Sequence, residues 1–261
     1  MDNMLEKFEK KWNIQFVAKN TVLISYPKSG RTWLRMILAS VLYESGKDIS
    51  KYEMLPAFHF SSDELLSRIG SDLNVIFLHR DPGDVVLSQY ATMSNPNGTH
   101  IDFGTIVSLS LRKFIIGDIN EIFNPDADYT KRQEWSHNFG LNNIIDWNNN
   151  WKLGLRYFND FKVLTYEEMH DDAFRVIKDL LSWLKFDCHD EIIKEAIKHS
   201  EFENMRKIEH GYGKNNLEHY KSSFGAPGKQ RVRQGKVKDY LNTLSEKDLK
   251  YVLEMKKRSL W

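Results

Sequence analysis

The chain has 261 residues, 41% of them apolar and 13% aromatic, with 37 Lys+Arg against 36 Asp+Glu. This near-neutral balance argues against a broad surface for nucleic acid, and the single cysteine, Cys188, cannot form an internal disulfide. No run of about 18 apolar residues and no secretory signal is visible, so a protein of a reducing, cytoplasmic compartment without a membrane span is expected.

In chain order, the pattern predicts strands at 21–26, 55–60, 74–79 and 161–166. Helices are predicted near 31–45, 82–93, 103–118, 139–158, 171–185, 189–199 and 245–258. Strands alternating with helices imply a parallel sheet covered on both faces. No Pro/Gly/Ser-rich linker, repeat or low-complexity tract divides the chain, and a single domain over 1–261 is expected.

After the apolar run Val22-Leu23-Ile24 comes Tyr26-Pro27-Lys28-Ser29-Gly30-Arg31-Thr32-Trp33, then a helix with Leu34, Ile37, Leu38, Val41 and Leu42 on one stripe. Strand, glycine turn and helix aim backbone N–H groups and a positive helix end at one anion. Lys28 adds a cation, and Ser29 and Thr32 add hydroxyl donors. The lysine precedes Gly30 by two residues, so the nucleotide-binding pattern G-x-x-x-x-G-K-[ST] is not met. Lys-Ser-Gly alone would serve equally as an ordinary turn with a surface lysine.

The second informative segment is Asn74 to Tyr90, a buried strand ending in His79-Arg80, an Asp81 N-cap, Pro82 at the first helical position, and Ser88 two turns on. Arg80 stands at the C-terminal end of its strand, where open α/β sheets collect ligands. A loop-closing salt bridge is the alternative role for it. Farther along, Lys162 to Met169 reads as a short strand ending in a loop, which then enters a helix with Phe174, Ile177, Leu180, Leu181 and Leu184 at core spacing. In His199-Ser200-Glu201-Phe202-Glu203-Asn204-Met205, Phe202 and Met205 also fit a core-facing pair at i, i+3. The stretch Gly228 to Tyr240 carries five cations before its first acid, Asp239. In a neutral chain such a loop suits one compact anion better than a polyanion. The last predicted helix opens on a capping signal, Ser245-x-x-Asp248.

Taken together, these segments resemble the soluble sulfotransferases, which use 3′-phosphoadenosine 5′-phosphosulfate (PAPS) and release 3′,5′-adenosine bisphosphate (PAP). They occur in the family's order and cover nearly the whole chain. The resemblance implies a three-layer α/β fold with a P-loop-like core and a small-molecule acceptor. It implies that Lys28, Ser29, Gly30, Arg31, Thr32 and Trp33 hold the 5′-phosphosulfate end. Arg80 and Ser88 would take the 3′-phosphate, Tyr166 would contact the adenine, Ser200 and Phe202 fall on nucleotide-contacting positions, and Arg233-Gln234-Gly235 matches the family's Arg-Lys-Gly signature. Four departures stand out: Arg31 for threonine, Gln234 for lysine, Glu201 for serine, and Tyr240 for tryptophan. Arg231, two residues before Arg233, is positioned to replace the missing cation. Trp33 offers a face on which a purine can stack.

Sulfuryl transfer needs an in-line nucleophile, a base for its proton, and stabilisation of the leaving phosphate oxygen. Lys28 suits the last task, and no metal-ligand spacing is present in the sequence. Of nine histidines, His59 in Pro56-Ala57-Phe58-His59-Phe60 falls near the family's base histidine relative to Arg80, and histidine titrates in the useful range. A core histidine is the other role for His59, whereas His79 reads as packing. The family's lysine is absent at Ala57, and Arg31 is a candidate to take over its contact with the sulfuryl oxygens. In the family the matching serine, here Ser88, also restrains the lysine until acceptor arrives.

The acceptor itself is not legible. Its site is expected in roughly 47–58, 91–150 and 207–228, the second rich in aromatic residues and asparagine. The competing readings are a nucleoside triphosphatase on a related architecture, a non-catalytic sensor of PAP, and a nucleic-acid module.

Overall fold

The computed structural model describes residues 15–16, 20–47, 52–53, 57–58, 61–68, 70–94, 110–118, 139–209 and 235–261. Its centre is a parallel sheet of β2 (Thr21–Ser25), β4 (Ala57–Phe58), β5 (Asn74–His79) and β6 (Asp160–Thr165), in the order β4-β2-β5-β6. A separate parallel pair joins β1 (Gln15–Phe16) to β3 (Tyr52–Glu53). All of β2 is buried, as expected for a parallel strand covered on both faces.

Alternation along the strands divides the core into two layers. Leu23, Ile76, Leu78 and Leu164 point to one face, while Val22, Ile24, Val75 and Phe77 point to the other. The first face is covered by α1 (Arg31–Glu44), α7 (Ala173–Trp183) and α8 (Asp190–His199), with Met205 of α9 (Phe202–Glu209) in the same cluster. The second is covered by Leu65 of α2 (Ser62–Arg68) and by Trp151 of α5 (Leu141–Gly154), with Leu155 of the 3-10 turn Leu155–Tyr157. Each large aliphatic side chain fully removed from water here contributes about 1.5–3 kcal/mol. Trp261 closes this layer, its ring 5.1 Å from Phe77 and 5.1 Å from His79, with Nε1–H donated to Asn148 O at 2.9 Å.

A third cluster lies beyond the C-terminal end of the sheet. It joins Tyr26, Val85 and Val86 of α3 (Pro82–Met93), Phe114 of α4 (Leu111–Ile116), Ile144 and Ile145 of α5, Tyr240 of α10 (Tyr240–Thr243), and Val252 of α11 (Glu246–Lys256). The chain therefore leaves adjacent strands β2 and β5 into helices packed in different layers. That is the crevice geometry in which doubly wound sheets bind ligands.

The elements largely follow the predicted pattern, with local differences that have physical causes. Helix α6 (Tyr166–Asp171) begins one residue after β6, where the strand was expected to include Tyr166. Thr165 caps it, accepting from Glu168 N at 3.1 Å and donating to Glu168 Oε2 at 2.9 Å. The helix expected over 171–185 breaks at Asp172, whose carboxylate accepts from Arg175 N and starts α7. Helices α2, α6, α9 and α10 were not predicted. The predicted strand 55–60 is seen as Ala57–Phe58, and the predicted helix 103–118 as Leu111–Ile116; 103–109 lies outside the described residues.

Candidate active site

The first wall of the site is the turn after β2. Ser29 N–H donates to Tyr26 O at 3.3 Å, closing a turn with Pro27 and Lys28 at its centre. Lys28 has φ 74, the pattern of a turn with proline first and a left-handed residue second. Glycine would occupy that position at lower cost, so lysine is held there against its backbone preference. Gly30 (φ 98) is the N-cap of α1 and supplies no side-chain cap, and an uncapped helix N-terminus is the kind of end that can face an anion. Ser29 is buried, and Arg31, Thr32 and Trp33 are half-buried at the helix entrance.

The second wall is the turn after β5. Arg80, only 7% exposed, donates from Nη1 to Lys28 O at 3.1 Å and from Nη2 to Lys236 O at 2.8 Å. Its guanidinium lies 4.1 Å from the Tyr166 ring centroid. One arginine thus ties the glycine turn to the segment that follows Gly235 and packs on the residue that opens α6. Asp81 caps α3 by accepting from Gly83 N at 2.9 Å and also receives the Lys256 ammonium. Burial alone would pull Lys256 down, but hydrogen bonds to Asp81 and to Tyr240 Oη hold its pKa above the ordinary range.

The aromatic floor comes from the other elements. Tyr166 is buried, 5.6 Å and edge-on to Trp33. A Cβ at Gly30 would lie 2.5 Å from its ring, so only glycine lets the turn approach this closely. At Gly235 the nearest atoms to a Cβ would be the Phe202 ring at 3.0 Å and Tyr166 Oη at 3.6 Å. The fold therefore gathers Lys28, Gly30, Trp33, Arg80, Tyr166, Phe202 and Gly235, drawn from widely separated segments, into one contiguous cluster. Ser200 is the C-cap residue of α8, and Ser88 is half-buried on α3, its carbonyl accepting from Thr92 Oγ1 at 2.9 Å. His59, Arg231, Arg233 and Gln234 lie outside the described residues.

Arg80 Nε in this cluster, and Ser200 Oγ at the end of α8, are buried without a hydrogen-bond partner among the described residues. Native interiors seldom leave such groups unmatched. Together with the uncapped helix end at Gly30 and the aromatic rings, they fit a ligand that carries phosphate groups on a purine nucleoside.

The structure adds residues that the motifs did not single out. Glu167 accepts Asp81 N at 3.0 Å, and burial raises its pKa despite that bond. Asp84, 1% exposed, accepts from Lys238 N at 2.7 Å and Tyr240 N at 3.4 Å; burial also pushes its carboxyl up, against the opposing pull of Arg80. The spacing Arg80–Asp84 at i, i+4 was a readable signal. His79 packs as expected: burial lowers its pKa to about 4, with Lys152 and Lys256 acting in the same direction and Asp81 opposing. No described helix is long and apolar enough to cross a membrane.

Comparison with known proteins places this arrangement. The family model for the sulfotransferase domain matches residues 18–260. Human sulfotransferase 6B1 is 26% identical over 86% of this chain and 71% of its own length. Mouse sulfotransferase 2A6 is 24% identical over 87% and 80%. Cytosolic sulfotransferase 15 of Arabidopsis thaliana is 21% identical over 89% and 69%. Among solved structures, mouse sulfotransferase SULT7A1 complexed with PAP aligns with a TM-score of 0.59 at 18% identity, over 92% of this chain and 84% of that one. Retinol dehydratase in complex with androsterone and inactive cofactor PAP aligns at 0.53 and 16%, over 94% and 82%. These structural likenesses are of fold, and they match the three-layer α/β architecture described above. With the family model spanning nearly its full length, the chain belongs to the sulfotransferase family.

Proposed function

We propose that this sulfotransferase uses PAPS to sulfate a hydroxyl, or an amine, of a small-molecule acceptor. The observation that supports the donor most directly is the junction at Arg80, where the carbonyls of Lys28 and Lys236 meet on one guanidinium beside Tyr166. It brings the glycine turn and the segment after Gly235 to within the span of a single nucleotide. When bound, PAPS would supply the activated sulfuryl group and a good leaving phosphate.

This chain's residues divide the remaining work. The turn of Lys28, Ser29, Gly30, Arg31 and Thr32 would receive the 5′ end on backbone N–H groups, hydroxyls and the Lys28 ammonium. Lys28 is assigned to stabilise charge that grows on the bridging oxygen, an interaction that is stronger in the transition state than before it. Arg80, Ser88, Arg231, Arg233, Gln234 and Gly235 would take the 3′-phosphate, with Trp33, Tyr166, Ser200 and Phe202 around the nucleoside. His59 is assigned as the base that accepts the acceptor's proton, and Ser88 as the restraint on Lys28. We read residues 1–261 as one functional unit in the cytoplasm.

The test is a transfer screen with labelled PAPS over phenols, alcohols, amines and sugars, run beside PAP titration. PAP binding with label transferred to one of these classes supports the reading. Binding without transfer to any acceptor would make the chain a PAP sensor. Preference for ATP with magnesium-dependent turnover would make it a phosphotransferase. His59→Ala should abolish transfer with PAP affinity kept, and Ser88→Ala should raise PAPS hydrolysis in the absence of acceptor.

A further inference from the structure

The buried carboxylate of Asp84 has no place in the division of labour above, yet it faces the donor site's central arginine. Its side chain is fully buried, 3.9 Å from Arg80 Nη2. An acid in the first turn of α3 would complement the helix dipole from the surface just as well. Burying it is costly unless other groups compensate. The compensation comes from far away in sequence: Lys238 N–H at 2.7 Å and Tyr240 N–H at 3.4 Å. Arg80 reaches the same segment through Lys236 O at 2.8 Å. The contacts form a closed ring, from Arg80 to the Lys236 carbonyl, along the backbone to the Lys238 amide, across to Asp84 and back to Arg80.

Lys238 has φ 57, a left-handed conformation that a lysine holds only when its surroundings fix it. The Asp84 bond to its amide is such a constraint. Tyr240 adds a second tether on the same turn, its hydroxyl meeting Lys256 at 2.7 Å and Asp81 at 3.4 Å. A Cβ at Gly83 would lie 2.7 Å from the Tyr240 ring, so the turn after β5 and the start of α10 are in tight contact.

We infer that Asp84 is a positioning residue for the donor site: it fixes the Lys236–Tyr240 segment onto Arg80, so that the arginine and the segment's backbone form one preset wall. The inference rests on the PAPS reading above. Through Arg80 the wall is continuous with Lys28 O, so loosening it weakens the grip on the nucleotide and leaves the chemical groups in place. Asp84 touches no reacting atom. Its loss should appear in donor affinity and in KM for PAPS, with kcat at saturating PAPS close to wild type.

The experiment compares wild type, Asp84→Asn, Asp84→Ala and Asp248→Asn as full-length chains. Asp248 is a matched control, a buried carboxylate that pairs with Arg112 at 2.9 Å and receives Ser245 Oγ–H at the start of α11. PAP affinity is measured by calorimetry, and amide hydrogen exchange is followed over 236–240. The expected result is a PAP Kd raised ten-fold or more in Asp84→Asn, faster exchange at Lys238 and Tyr240, and a Kd within two-fold of wild type in Asp248→Asn. If Asp84→Ala fails to fold, the Asn variant carries the measurement. An unchanged PAP Kd in Asp84→Asn overturns the inference, whether or not exchange quickens. An equal loss of affinity in Asp248→Asn overturns it as well, because general destabilisation would then explain the effect. Failure of wild type to bind PAP would reject the donor-site reading itself.

Discussion

The turns that follow β2 and β5 connect a buried parallel strand to a helix at the same end of the sheet, and they treat that helix end in opposite ways. After β2 the N-cap is Gly30, without a side-chain cap, and the backbone carries positive φ at Lys28 and again at Gly30. After β5 the N-cap is Asp81, which accepts from Gly83 N, and Pro82 fills the first helical position. The first turn has no side-chain cap and carries backbone strain at Lys28. The second satisfies its own donors and holds its neighbours, with Asp81 gripping Lys256 and Asp84 gripping the Lys238 amide. Equal connectivity thus yields one turn suited to receiving and one suited to anchoring. The difference lies in a handful of side chains, Asp81 and Asp84 against Lys28 and Gly30.

The largest test of this contrast removes the cation from the receiving turn. Lys28→Ala should lower turnover by about 10²-fold or more, the scale for deleting a preorganised donor. Its backbone cost is little changed, because alanine dislikes φ 74 as much as lysine does. Retention of wild-type turnover in a PAPS transfer assay would remove Lys28 from the chemistry.

Next comes acid titration of the anchoring strand. His79 in the folded chain has its pKa lowered to about 4 from 6.5, mainly by burial. Between those values the unfolded chain binds a proton that the folded chain refuses. The stabilisation is therefore full above pH 6.5 and is lost as pH falls toward 4, by at most about 3 kcal/mol. His79→Phe keeps a ring against Trp261 and should flatten that part of the stability–pH curve, measured by urea unfolding at a series of pH values.

Adding a methyl group to each turn separates strain from crowding. Gly83→Ala meets the Tyr240 ring and should destabilise by about 1–3 kcal/mol as an overpacked contact. Gly30→Ala meets the Tyr166 ring and must also adopt φ 98, adding about 1 kcal/mol. Equal costs in thermal unfolding would deny the backbone difference between the turns. The smallest effect is a gain: Lys28→Gly should relieve strain and raise stability by up to about 1 kcal/mol while turnover is lost.

Much of the donor end was legible because its signals are local. Residues 82–93 were expected as a helix capped by Asp81 with Pro82 first, and α3 runs Pro82–Met93 with that cap in place. β5 occupies 74–79 as expected, and the helix after Gly30 begins at Arg31. Two missed helix starts also carried local signals. Ser61 and Glu64 exchange backbone and side-chain hydrogen bonds in a reciprocal capping box before α2, and before α6 the Thr165 hydroxyl accepts from Glu168 N–H and donates to the Glu168 carboxylate. The Asp84 ring had no such signal beyond its i, i+4 spacing from Arg80, since its partners Lys238 and Tyr240 come from over 150 positions away. Contacts of that separation are fixed by the fold and leave no periodic trace in either segment. The segments expected to bind the acceptor were the ones without a family pattern, and most of 91–150 and 207–228 lies outside the described residues.

The place of Trp261 bears on how the chain comes to be made. Its indole seals the layer over Phe77 of the central strand, although 184 positions separate the two residues in number. Translation releases residues in order, so this hydrophobic layer cannot be completed on the ribosome before residue 261 has emerged. Until then Phe77 has Trp147 and Trp151 beside it, but the Phe77 and His79 rings lack the Trp261 indole, and that edge of the layer is open to a chaperone or to wrong partners.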